Sequence, residues 1–166
     1  MFSTIFKHEV KYWFKKPAFY IYASMFLAMS ILVAATKGGF FDSVTATTGS
    51  SLIVNAPIEL TRLFNTLSSF ITFLFPAIIG VSMYRDYKSE MHTIVYSYPF
   101  SKANYLFAKF FSGVAIVTSI VLVIGVGLFI GFRLPGTNSA LVGSFDFLSY
   151  LHTYIVYIFP NILLYG

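Results

Sequence analysis

The sequence predicts an all-α integral membrane protein, built from an N-terminal interfacial amphipathic helix and four transmembrane helices. Three observations lead there. Hydrophobic residues make up 57% of the 166-residue chain and charged residues only 10%, against about 25% charged in an ordinary soluble domain. Four long apolar segments follow one another. The bases gather in the leading segment and in one connector. A chain this short has too much surface for its volume to hide such an apolar surplus inside one globule. The excess must face lipid.

Residues 2–16 form the first element. Phe2, Ile5, Phe6, Val10, Trp13 and Phe14 recur at three- and four-residue steps, which marks one face of a helix. Lys7, Lys11 and Lys15 stripe another face. Such a helix lies in the headgroup plane, with Phe6 and Trp13 toward the hydrocarbon and Lys7 and Lys11 toward anionic lipid. Pro17 ends it before the first span. His8-Glu9-Val10-Lys11-Tyr12 falls short of a zinc-peptidase motif. Tyr12 stands where the second imidazole is needed one turn on.

The spans are read at 18–36, 63–84, 110–132 and 148–166. A helix needs about 20 residues to cross roughly 30 Å of hydrocarbon. The first three meet that length and the fourth is marginal. The first is longer than the roughly 7–15 residues of a signal-peptide core, so it reads as an uncleaved anchor. In the second span Asn65, Ser68, Ser69, Thr72, Pro76 and Gly80 share one stripe. Small and hydroxyl residues favour close helix contacts, and Asn65, Ser69, Thr72 and Pro76 are candidates for a packing or pathway face. Pro76 should kink the helix. Gly127 and Gly131 form a GxxxG in the third span. No acid or base is placed firmly inside the four runs, which argues against an ion-coupled carrier. His152 reads as an interfacial residue among Tyr150 and Tyr154.

Eight of the 11 bases fall on one side: Lys7, Lys11, Lys15 and Lys16 in the leading segment, and Arg85, Lys88, Lys102 and Lys109 in the connector between the second and third spans. The positive-inside rule makes that side cytoplasmic. The N-terminus is then inside a multi-pass protein of the cytoplasmic membrane. The net charge of +5 is explained by membrane topology, with no nucleic-acid partner. With no cysteine in the chain, disulfides and thiolate metal sites are excluded. The sequence ends at Asn161–Gly166 without a basic flank, so the chain reads as cut at or within its fourth span.

The connector itself is unusual. After the charged block Arg85-Asp86-Tyr87-Lys88-Ser89-Glu90 comes an apolar stretch, Ile94, Val95, Tyr96 and Tyr98, then Pro99, which bars a continuous helix, and Ser101, placed to cap the next one. A small greasy centre with a charged rim suits a docking surface.

In this stretch the chain resembles the membrane subunit of type-2 ABC transporters, a bacterial permease family. Many members carry a pattern close to E-x-x-x-G-T-x-x-x-L-x-x-P-[IV]-S-R-x-x-[YL]-x-x-x-K between the second and third spans. Here Asp86 or Glu90 stands for the acid and His92-Thr93 for Gly-Thr. Pro99, Ser101, Lys102, Tyr105 and Lys109 follow, with His92 departing from the usual glycine. The resemblance implies an N-terminal interfacial helix and the first four of six spans. It implies that Asp86, Glu90, Thr93, Tyr98, Pro99, Ser101 and Lys102 belong to a loop that docks into a cytoplasmic ATP-binding subunit. It also implies a dimer of permease subunits, identical or not, and leans toward export. ATP and Mg²⁺ would sit on the partner, since no Walker pattern G-x-x-x-x-G-K-[ST] occurs here, and the chain itself is read as neither enzyme nor cofactor carrier. The alternatives are the membrane anchor of a larger protein with a zinc aminopeptidase-like domain, or a small membrane scaffold.

Overall fold

A computed structural model describes residues 2–40, 53–90, 97, 101–138 and 141–165. Thr93, Tyr98 and Pro99, together with His92 and Ile94–Tyr96, lie outside the described residues. The described residues are helical throughout, with turns between: α1 (Phe2–Lys15), α2 (Pro17–Lys37), α3 (Pro57–Ser69), α4 (Ile71–Lys88), α5 (Lys102–Gly131), α6 (Phe147–Thr153), a π-helical turn (Tyr154–Ile158) and α7 (Phe159–Tyr165). Three stretches are long and apolar enough to cross a membrane: α2, α5 and the run 147–164. The bent pair α3–α4 makes a fourth if it counts as one span.

Helix α5 is the axis of the molecule. It packs on α1, α2, α3, α4 and α7. Its Ile116, Val117, Ile120, Val121, Ile124 and Leu128 are all buried, as expected of a helix apolar around its whole circumference. The contact with α2 is the most extensive, and the GxxxG makes it. A Cβ on Gly127 would fall 1.8 Å from Ser30 Oγ and 3.0 Å from the Leu27 carbonyl. One on Gly131 would fall 2.5 Å from Ala34 Cβ and 2.9 Å from the Ile31 carbonyl. With no side chains at these two positions, the backbones approach closely enough for dispersion contact along the seam.

Boundaries differ from the sequence reading in two places. Helix α5 starts at Lys102, eight residues ahead of the expected 110, because Lys102–Lys109 is helical and continuous with the apolar run. The second span starts at Pro57, which sits at the first helical position with its missing N–H where none is needed. It then breaks at Phe70, with a 41° bend between α3 and α4. Two causes converge there. Ser68 and Ser69 both donate to the Asn65 carbonyl, at 3.1 and 2.9 Å, a back-bonding that bends helices. Pro76, inside α4, displaces the carbonyl one turn before it.

The hydroxyl stripe also behaves differently from expectation. Asn65, Ser69, Pro76 and Gly80 face away from the rest of the chain, Thr72 is half-buried, and Ser68 is buried. A Cβ on Gly80 would meet nothing within 4 Å. Within this chain only Ser68 and, in part, Thr72 are covered. The Ser68 and Ser69 hydroxyls are satisfied by their own helix.

In the last run the π turn precedes Pro160. Phe159 N–H reaches back to the Tyr154 carbonyl, five residues away, and Pro160 has no N–H to give. Tyr154 points from this turn onto α5. Its hydroxyl donates to the Val121 or Leu122 carbonyl (3.1 and 3.2 Å) and accepts from Gly125 N–H at 2.9 Å. At the opposite end from Lys102, Asn55 ties two connectors together. Its amide donates to the Gly143 and Ser144 carbonyls and accepts from Gly143 N–H.

Candidate functional site: a buried ion network at the roots of the connector

Three helices deliver polar side chains to one place. Helix α1 presents Glu9 and Trp13, four apart on the face turned toward α5, both buried. The last turns of α4 present Ser82, Arg85 and Asp86, three and four apart. The early turns of α5 present Tyr105 and Lys109. Such spacings put each set on one helical face.

Lys109 Nζ is buried. It pairs with Asp86 and lies 3.5 Å from Glu9 Oε1. It also donates to the Ser82 carbonyl at 3.1 Å and to Ser82 Oγ at 3.3 Å. Arg85 donates to Glu9 Oε1, and its Nε lies 3.6 Å from Asp86 Oδ1. Ser82 Oγ donates to Glu9 Oε2 at 3.2 Å, and Tyr105 donates its hydroxyl to Asp86. Two acids meet two bases, so the network is neutral as a whole. That balance matters because each uncompensated buried ion costs several kcal/mol.

Aromatic rings seal the edge. The Arg85 guanidinium lies 4.1 Å over the Tyr12 ring. Its Nη1 is buried with no hydrogen-bond acceptor, so the ring face is the attraction left to it. Lys16 lies 4.5 Å from the same ring. Hydrogen bonding to Lys16, and then to Arg85, holds the Tyr12 phenol below its ordinary value. A cleft of about 450 Å³ opens beside the network, walled by Thr4, Ile5 and His8 on one side and Ser89 and Tyr105 on the other.

Asp86 is thus a hub of this cluster, where the sequence reading placed it in a docking loop. Glu90, in the turn just past α4, is in the left-handed region, φ 54°, and is exposed. Ser101 holds the N-cap position of α5 with extended backbone. Its side chain makes no capping bond, so the expected cap is one of position only. Lys102 is exposed at the first residue of α5. On α1, Lys7 and Lys11 are exposed, Phe6 is half-buried and Trp13 is buried. His152 is exposed on α6. Among the described residues no group of acids and histidines could hold a metal ion.

Compared with known protein families, curated proteins and solved structures, the chain matches none.

Sequence reasoning counted Arg85 and Lys109 as markers of sidedness, met Glu9 in a failed zinc-peptidase motif, and missed that the three meet. One signal was present: Glu9 sits on the apolar face of α1, between Phe6 and Trp13. A lone acid on such a face needs a buried cation.

Proposed function

We propose that this chain is the permease subunit of an ATP-driven transporter of the type-2 ABC class, with an export direction. In this reading α1 lies in the cytoplasmic headgroup plane, α3–α4 form one bent span, and the chain crosses the membrane four times with its N-terminus inside. The connector after α4 takes up the motion of a separate cytoplasmic ATP-binding subunit, and two permease subunits enclose the pathway.

One observation supports this above the others. The residues that root the connector at both ends, Arg85 and Asp86 before it and Lys109 after it, are tied ionically to each other and to Glu9 of α1. A connector rooted this way cannot swing freely. Displacing it moves α1, α4 and α5 as a unit, which is what a soluble motor needs in order to act on spans inside a bilayer. The alternative readings, an anchor or a small scaffold, do not call for such bracing.

The test is co-purification with a candidate ATP-binding subunit encoded beside this chain. The triple change Tyr98→Ala, Pro99→Ala and Lys102→Ala is expected to abolish the complex while membrane insertion is unchanged. A complex that survives the triple change overturns the docking role.

A further inference from the structure

At the end of α5 farthest from the ion network, two cavities adjoin. One, of about 300 Å³, has a mixed wall in which Asn55, Arg133, Thr137 and Ser144 stand beside Phe132 and Val142. The other, of about 420 Å³, is walled by Leu122, Val126, Phe147, Leu151 and Tyr154, and is almost wholly apolar. Phe129, Phe145 and Tyr150 belong to both walls. Together they offer a mixed half that carries one cation and an oily half. Each is of the size of a small-molecule pocket.

Two polar side chains of the first cavity are already committed, and the exposed Arg133 carries its charge. Asn55 is engaged by Gly143 and Ser144, and Thr137 Oγ1 donates to the Leu134 carbonyl at 2.9 Å. Arg133 lies just past the last turn of α5. Its guanidinium sits 4.4 Å over Phe129, the ring shared by both halves, and among the described residues no carboxylate pairs with it. The apolar half lies between α5 and the run 147–164, both long enough to span a bilayer. Water is a poor occupant there, since it needs two to four polar partners.

We propose that this site binds a single-chain anionic amphiphile of the fatty-acid class. Its carboxylate meets Arg133, whose planar fork matches two oxygens, and its chain enters the apolar half as far as Tyr154. Charge complementarity selects an acid, and cavity size selects one chain over two. This inference is independent of the ATP-driven reading.

The experiment uses the full chain in zwitterionic nanodiscs and a palmitic acid carrying a mid-chain diazirine. Photolabelling is mapped by mass spectrometry. The acid is expected to label peptides covering 122–133 and 145–154. Arg133→Gln should lower that labelling about tenfold, the loss of a charge-assisted hydrogen bond, and leave labelling by the methyl ester unchanged. Val126→Trp, at an exposed wall position, should fill the oily half and remove labelling by both probes. Thermal unfolding of both variants should match the parent. Equal labelling by acid and ester, or acid labelling unaffected by Arg133→Gln, overturns the proposal. So does stronger labelling of the same peptides by a diazirine-bearing phosphatidylglycerol, which would assign the site to a two-chain lipid.

Discussion

Glu9 on the first helix pairs with Arg85, 76 positions further along the chain, and both sit where Lys109 of a third helix completes the charge balance. None of the three helices can leave this point without stranding an ion. The pairing turns α1 from a surface segment into a structural member of the bundle.

Lys109→Met should therefore destabilise the protein by about 3–5 kcal/mol, the range for removing one partner of a buried ion pair. The double variant Glu9→Gln with Lys109→Met should recover part of that loss, because the leftover charges again balance between Arg85 and Asp86. Chemical unfolding in detergent, arranged as a double-mutant cycle, measures the coupling. Additive losses would mean the two residues do not interact.

The glycines of α5 and α4 should respond in opposite ways. Gly131→Ala places a Cβ 2.5 Å from Ala34 Cβ and against the Ile31 backbone, which cannot move without shifting a helix. Overpacking of this kind costs about 1–3 kcal/mol. Gly80→Ala meets open space and should be neutral or slightly stabilising, since alanine favours helix by up to about 1 kcal/mol. Thermal unfolding of the two variants side by side decides it.

Tyr154→Phe removes the hydroxyl that bonds to the Val121 carbonyl and the Gly125 amide of one α5 turn. The expected loss is about 0.5–1.5 kcal/mol. The local signature is faster hydrogen exchange at the Gly125 amide, with amides near Ile116 unchanged.

Asp146 caps α6 by accepting from Leu148 N–H at 3.0 Å and from the Ser149 hydroxyl. The Ser149 bond, then the Leu148 amide, holds its carboxyl below the usual value. A depressed folded pKa means its contribution is present above the unfolded value, about 3.9, and fades as pH falls through the lower folded one. The Leu148 amide should lose exchange protection over that acid window in the parent. In Asp146→Ala the same amide should be less protected at neutral pH and show no such step.

Sidedness is open to direct measurement, because the chain has no cysteine. A single cysteine at Ser97 should resist a membrane-impermeant maleimide in intact cells, and one at Ser144 should react. The reverse pattern would place the connector outside, where no cytoplasmic ATP-binding subunit could reach it.

Much of the architecture was legible in the residues. Apolar length placed α2 and the 147–164 run within a residue or two at their starts, while the GxxxG carried no partner until the structure set it against α2. The breaks were less legible. Pro76 announced a bend, yet the bend falls at Phe70, where serine back-bonding adds to the proline. The hydroxyl stripe read as a packing or pathway face, and most of it is exposed in this chain, since periodicity states that residues share a face and not what that face meets.

The sequence by itself determined a helical chain with apolar stretches long enough to cross a membrane, because hydrophobic length is a local property summed along the chain. Only the tertiary structure decided that Glu9, Ser82, Arg85, Asp86, Tyr105 and Lys109 form one network, and that Arg133 stands over a cavity with two characters. Those sites depend on which helices touch and at what height. That is fixed by the mutual fit of side chains far apart in sequence, and no window along the chain contains it.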